Sequence, residues 1–165
     1  MMEALPLDGL VTLTAHGKSS TSPQLWLYHG PKWPLLWLVR LTPSAAHAFN
    51  EALLEDNGGR ESLLLQSLTK LVLIDTALID ITPTARLICD ALMKRVEQGV
   101  PLEILDLRTC LATSCAVELF SEIVVNVLGP EKTVASHKQA ESLFRHLVAF
   151  YADMMRTEPL RNRRR

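Results

Sequence analysis

Cysteine is scarce and unpatterned in this chain. Cys89, Cys110 and Cys115 are its only three, an odd count with no Cys-x-x-Cys spacing, which argues against a disulfide framework and a structural zinc site and reads as buried thiols in a reducing compartment. Long apolar runs are absent too. Stretches such as Leu35-Leu36-Trp37-Leu38-Val39 fall far short of the roughly 18 residues a membrane span needs. Charge of one sign is missing: 17 Lys and Arg stand against 18 Asp and Glu, a formal net of −1, which excludes a globally basic nucleic-acid binder. The amino end, Met1-Met2-Glu3-Ala4-Leu5-Pro6, has neither a basic start nor a continuous apolar core, so no secretory signal is expected and the compartment reads as intracellular, cytoplasmic or nuclear. What remains is 165 residues, 48% of them hydrophobic, with a mean hydropathy of +0.14. That is enough for one domain burying roughly two-thirds of its unfolded surface.

The informative feature is a spacing that recurs. Leu68-x-x-Leu71-x-Leu73-x-x-Thr76-x-Leu78 and Leu102-x-x-Leu105-x-Leu107-x-x-Cys110-x-Ala112 both fit the leucine-rich-repeat consensus, with apolar residues at offsets 0, 3, 5 and 10 and a small polar residue or Cys at offset 8. They lie 34 residues apart. Leu36-x-x-Val39-x-Leu41 matches in its first half only, since Ser44 at offset 8 falls inside a helix signal; Leu10-x-x-Leu13-x-Ala15 is too degenerate to count by itself. At offsets 3 and 5 two leucines of a short strand point to the same side, so parallel strands about 4.8 Å apart would build a continuous ladder. A single unit cannot bury that side alone and needs its neighbours.

Helix signals follow each strand. Thr42-Pro43-Ser44-Ala45 and Thr82-Pro83-Thr84-Ala85 each place a capping hydroxyl before a proline at the first helical position, where the missing N–H costs nothing. Stops are expected at Asn57-Gly58-Gly59 and Gly99, residues that tolerate the left-handed conformation. Phe49 and Leu53 in the first segment, and Leu87, Ile88, Ala91, Leu92 and Val96 in the second, form the apolar stripes. After Thr113, a further cap, a helix should run into the β-branched segment Ile123-Val124-Val125-Asn126-Val127, the expected last strand. Gly129-Pro130 breaks the chain, and Ser136-His137-Lys138-Gln139 has the spacing of a capping box that would open a long helix. Its stripe is Ala140, Leu143, Phe144, Leu147, Tyr151 and Met154, and its expected role is an end cap.

The expected architecture is therefore α/β: a short leucine-rich-repeat-like solenoid of strand–helix units over 1–130, a C-terminal capping amphipathic helix over 131–158, and a basic disordered tail over 159–165. An open α/β sheet with helices on both faces is the structural alternative. No complete unit precedes Trp33, so the first strand is expected to leave an open edge and to favour self-association.

Chemical motifs fail on their spacing. His16-Gly17-Lys18-Ser19 ends like a phosphate-binding loop, but Thr12 stands where the first glycine belongs. No Gly-x-Ser-x-Gly elbow exists, and the five histidines include no i, i+4 pair. Asp75, Asp80 and Asp106 are candidate acids or bases, read as solvated surface charge. Trp26, Trp33 and Trp37 crowd around Tyr28 and Pro31-Lys32; core packing by Trp37 on its strand, with the other two covering the open end, is favoured over an aromatic contact patch. No cofactor and no metal site is expected.

Between the ladder leucines, alternation sends residues to the open face. Arg40, Val72 and Asp106 are equivalent in the three copies, and Thr42, Ile74 and Arg108 form the next row. With Lys70, Asp75 and Ile104 they make up the candidate partner-binding face. It is mixed and low in charge, which suits a folded protein or peptide better than a phosphate backbone.

The segments Leu87-Ile88-Cys89-Asp90-Ala91-Leu92-Met93-Lys94-Arg95, Pro101 to Cys110 and Leu119 to Val127 resemble the carboxy-terminal repeats of the large F-box protein family of mushroom-forming fungi, best over residues 60 to 130. The resemblance implies repeats that present a substrate protein to a cullin ubiquitin ligase, with an amino-terminal F-box holding the ligase adaptor. Leu5-Pro6-Leu7-Asp8 imitates the F-box opening, but Val11-Thr12-Leu13-Thr14 and a Gly/Ser-rich stretch follow where leucine-bearing helices belong. The F-box is therefore expected to be missing, and cullin-ligase components would be partners only through it. The expected function is a non-enzymatic protein-binding module that takes a protein substrate or partner, with no membrane and no nucleic acid. The rival reading is a small α/β enzyme with a site at the strand carboxy ends, near Thr42, Asp75 and Arg108. A third, a helical nucleic-acid-associated module, would rest on Arg161-Asn162-Arg163-Arg164-Arg165.

Overall fold

The computed structural model describes residues 9–17, 22–55, 64–79 and 83–130. The F-box-like opening, the Asn57-Gly58-Gly59 stop, the Thr82 cap, Asp80, the 131–158 helix and the 159–165 tail lie outside them.

Among the described residues seven strands and four α-helices follow one another: β1 (Thr12–Ala15), α1 (Pro23–His29), β2 (Leu38–Leu41), α2 (Pro43–Glu55), β3 (Lys70–Leu73), β4 (Ala77–Leu78), α3 (Pro83–Glu97), β5 (Ile104–Asp106), β6 (Leu111–Ala112), α4 (Ser114–Ser121) and β7 (Asn126–Leu128). The class is α/β. Every described strand pairing is parallel. The main sheet runs β1-β2-β3-β5-β7, so strands add in chain order with no reversal, and β4 and β6 form a second short pair.

Register explains the spacing in the sequence. Leu13, Val39, Leu71, Leu105 and Val127 lie side by side in one row, and Ala15, Leu41 and Leu73 in the next. Val39, Leu41, Leu71, Leu73, Leu105 and Leu107 are each 0% exposed and share one core cluster with Phe49, Leu53, Ile88, Leu92 and Phe120 of the helices. Full burial of one such leucine is worth roughly 1.5–3 kcal/mol, so these rows dominate the stability of the sheet.

β1 corrects the expectation that the Leu10 copy does not count. It pairs with β2 over four residues in the ladder register, so the first full repeat has a strand before it. Leu13 and Ala15 suffice because an edge strand is flanked on one side only. The open edge falls instead on β1, whose alternate residues Thr12 and Thr14 are exposed.

The helices begin where their caps lie. Pro43 and Pro83 open α2 and α3, and Thr113 accepts the Ala116 N–H at 3.3 Å to start α4. Gly99, at φ +80°, ends α3 in the conformation that a Cβ would strain. α1 is an additional helix, and Ser22-Pro23 repeats the hydroxyl–proline start of α2. Ser22 caps it by accepting the Gln24 N–H at 3.1 Å, and it leads into a 3-10 turn over Gly30–Lys32. There a Cβ on Gly30 would collide with the Leu64 side chain.

The stripe of α3 differs from expectation at its end. Val96 is exposed and Arg95 is buried, because a helix that buries Ile88 and Leu92 turns position 95 inward by the three-to-four residue spacing. The Arg95 guanidinium donates to the carbonyl oxygens of Leu64 at 3.1 Å, Leu65 at 3.2 Å and Leu68 at 3.1 Å. It thereby clamps the turn before β3, in which Leu65 holds φ at +54°.

Candidate functional site

The two faces of the sheet are unequally covered. Opposite the leucine ladder, one outer row runs Thr14, Arg40, Val72, Asp106 and Leu128, and its neighbour Thr12, Leu38, Lys70, Ile104 and Asn126. Five of the nine candidate residues, Arg40, Lys70, Val72, Ile104 and Asp106, therefore stand in two adjacent rows of one surface. Arg40 is exposed and Lys70, Val72 and Ile104 are half-buried.

Asp106 departs from the solvated charge expected of it. It is 3% exposed and pairs with Arg108 through both carboxylate oxygens: Arg108 Nε lies 3.0 Å from Oδ1 and Nη2 2.8 Å from Oδ2. The Arg108 backbone N–H adds a bond to Oδ1 at 3.3 Å. The Arg108 hydrogen bonds outweigh burial and, with the nearby Lys70 ammonium, hold the Asp106 carboxyl below its ordinary value. Central strands explain the burial, since Val72 and Leu128 flank Asp106 in its row. A buried carboxylate survives there because its cation is only two residues away on the same chain.

The remaining candidates lie past the strand ends and do different things. Thr42 Oγ1 accepts the Gly17 N–H at 3.1 Å, fastening the loop after β1. The Ile74 N–H donates to Leu41 O at 2.8 Å, extending the β2–β3 ladder. Asp75 is exposed at φ +49°, a conformation Asp tolerates better than most residues, and its N–H faces Thr109 Oγ1 at 3.5 Å. Arg108 is turned back to Asp106. Thr42, Asp75 and Arg108 are thus engaged with separate neighbours. Among the described residues no three His, Cys, Asp or Glu side chains gather as a metal-binding group, and no helix is long and apolar enough to cross a membrane.

The aromatic cluster divides differently from expectation. Trp26 and Trp33 are buried, with ring centroids 6.2 Å apart at 88°, and Trp26 meets Phe49 of α2 edge-on at 4.8 Å. Trp37 is 40% exposed. It precedes β2 and serves through its backbone, donating to Val11 O at 3.1 Å and accepting from Lys70 N at 2.9 Å. Its ring is therefore a surface feature, as is Tyr28, over which Lys32 Nζ lies 3.5 Å from the ring centroid.

Burial also settles two thiols. Cys89 and Cys110 are buried and pushed up to about 11 mainly by desolvation, whereas Cys115 is exposed on α4. Arg95, the most heavily bonded buried cation among the described residues, carried no sequence signal beyond its place one helical turn after Leu92.

Comparison of the chain with protein-family models, curated proteins and solved structures finds no match.

Proposed function

We propose that the chain is a short solenoid of strand–helix units of the leucine-rich-repeat kind, and that it acts without catalysis by binding another protein on the outer face of its parallel sheet. The observation that carries this is the sheet order: strands add in chain order, with apolar rows inside and mixed rows outside. An array of this type grows by nearest-neighbour packing and offers one continuous surface. The outer rows combine cations at Arg40 and Lys70 with apolar Val72 and Ile104, a composition suited to a polypeptide partner. The resemblance to F-box repeats makes a ubiquitin-ligase substrate the partner class to test first, with cullin-ligase components as partners only through an F-box.

The experiment is affinity capture on the immobilised full chain, comparing wild type with Arg40→Glu and Thr14→Glu on the outer face and Met93→Glu on α3. Arg40, Thr14 and Met93 are all exposed, so folding should be unaffected by any of the three. A partner retained by wild type and Met93→Glu but lost from both outer-face variants supports the reading. A partner retained equally by all four chains refutes it.

A further inference from the structure

Charge on the outer face of the sheet is unbalanced. Its two rows hold one acid, Asp106, and two cations, Arg40 and Lys70. Asp106 gives both carboxylate oxygens to Arg108, at 3.0 and 2.8 Å, and the Lys70 ammonium acts on it only at longer range. Neither Arg40 nor Lys70 meets a carboxylate in an ion pair among the described residues. The neighbouring sequence supplies none: residues 9–50, which carry β1, α1, β2 and the start of α2, hold Lys18, Lys32 and Arg40 with no Asp or Glu, a net of +3. One solvated cation needs no partner, but two on adjacent strands beside apolar side chains form a pattern that a ligand can read.

Register sets that pattern. Lys70 lies opposite Leu38 and Arg40 opposite Val72, so the two cations are diagonal neighbours on β2 and β3. With strands about 4.8 Å apart and a rise of about 3.3 Å per residue, their Cα atoms stand roughly 8 Å apart. An extended chain repeats its side chains on one side about every 6.7 Å, so acids at alternate positions match them. Val72 continues the row of Arg40 and Ile104 the row of Lys70, and both are half-buried. The main sheet of five strands is about 19 Å across, the length of roughly six extended residues. Asp75 and Glu103 are exposed past opposite strand ends, where they repel an acidic chain running along the strands but not one crossing them.

We infer that the partner presents an extended acidic segment to the outer face, with Asp or Glu at alternate positions meeting Arg40 and Lys70 and a following apolar side chain meeting Val72 and Ile104. The inference rests on the docking role proposed above and adds the chemistry of what docks. Two cations among uncharged neighbours are too few for a phosphate backbone, which calls for a row of them.

Selection of a displayed random-peptide library on the immobilised full chain tests it. Enriched peptides should carry Asp or Glu at alternate positions beside an apolar residue. Made synthetically, they should bind Arg40→Glu about tenfold or more weakly than wild type, Lys70→Gln more weakly by a smaller factor, and Met93→Glu as they bind wild type. Raising the ionic strength about tenfold should weaken them severalfold. Replacing the peptide's acid with Lys should restore affinity for Arg40→Glu and remove it for wild type, an exchange that a misfolded variant does not show. Four results overturn the inference. Failure to enrich any peptide removes the extended segment alone. Enriched peptides that lack acids but are lost from Thr14→Glu leave the outer face standing as a docking surface, whereas peptides insensitive to both Arg40→Glu and Thr14→Glu remove that reading too. A single-stranded DNA oligonucleotide bound more tightly than any enriched peptide, and lost from Arg40→Glu, assigns the cations to phosphate. Should Lys70→Gln fail to fold, Arg40→Glu and the charge exchange decide.

Discussion

Replacing Arg95 with Met isolates the clamp on the Leu64–Leu68 turn. Met keeps most of the length and apolar bulk of the side chain while removing every donor. Three carbonyl oxygens at 3.1–3.2 Å then lose a charged partner, and at roughly 1.5 kcal/mol for each charge-assisted bond the gross loss is about 4–5 kcal/mol. Part of this comes back. Leu65, held at φ +54°, is released from a conformation costing about 1 kcal/mol or more for a bulky residue, and the freed carbonyls can turn toward water. The expected net loss is therefore about 3 kcal/mol, larger than the ~1 kcal/mol typical of a point substitution. Arg95→Lys should lose less, about 1–2 kcal/mol, because a single ammonium can meet some of the three oxygens but lacks the planar fork that reaches all of them. Urea unfolding of the full chain, with unchanged m-values as the control for two-state behaviour, reads both variants. Arg95→Met within about 0.5 kcal/mol of wild type, or more stable than it, would falsify the clamp: desolvating the guanidinium would then cost as much as its bonds return.

Two further outcomes follow from the outer face and the thiols. Asp106→Asn should cost about 1–2 kcal/mol at neutral pH, the value of weakened charge-assisted bonds to an Arg108 side chain that is 60% exposed and so partly screened. Because Arg108 lowers the folded-state value of Asp106, its contribution is complete above the unfolded-state value of about 4 and disappears as pH falls through the folded one. The stability gap between wild type and Asp106→Asn should thus be flat above about pH 5 and narrow below pH 4; a gap that widens on acidification contradicts the pairing. Buried Cys89 and Cys110, each with its value near 11, should resist an aromatic disulfide reagent at pH 8 while exposed Cys115 reacts. One thiol should titrate in the native protein and three after denaturation, and equal native reactivity of all three would contradict the burial.

The ladder could be read in advance because leucine spacing records which side of a strand is buried, and Leu71, Leu73, Leu105 and Leu107 are all 0% exposed. The caps at Pro43 and Pro83 were equally legible, since proline at a first helical position carries its geometry with it. β1 was harder to see. An edge strand carries Thr12 and Thr14 outward and only Leu13 and Ala15 inward, too little apolar bulk to stand out. Arg95 and Asp106 escaped for another reason. Periodicity says where a side chain points, but whether a charge there is solvated depends on partners brought in by tertiary contact, such as the Leu64–Leu68 turn. Five of the candidate face residues share a surface because alternation fixes that; Thr42, Ile74, Asp75 and Arg108 lie past the strand ends, where alternation no longer applies.

Offset 8 of the repeat shows what the turns require. Where the chain leaves a strand, neighbouring units diverge, and carbonyl oxygens that the ladder would have paired need other donors. Ser44 Oγ donates to Gly17 O, Thr76 Oγ1 to Ile74 O at 3.2 Å, and Cys110 Sγ to Leu73 O at 3.2 Å. All three are small and carry a hydrogen, and all three occupy offset 8, including Ser44, whose place at the start of α2 had made its copy look incomplete. At each of these positions a small side chain with a hydrogen to donate serves the backbone, and at Leu73 O it shares the task with Thr109 Oγ1 at 3.3 Å. Inner rows answer to packing and turns to the backbone. The outer rows, which change from Thr to Arg to Val to Asp to Leu along one register line, are the part of each unit that neither demand dictates.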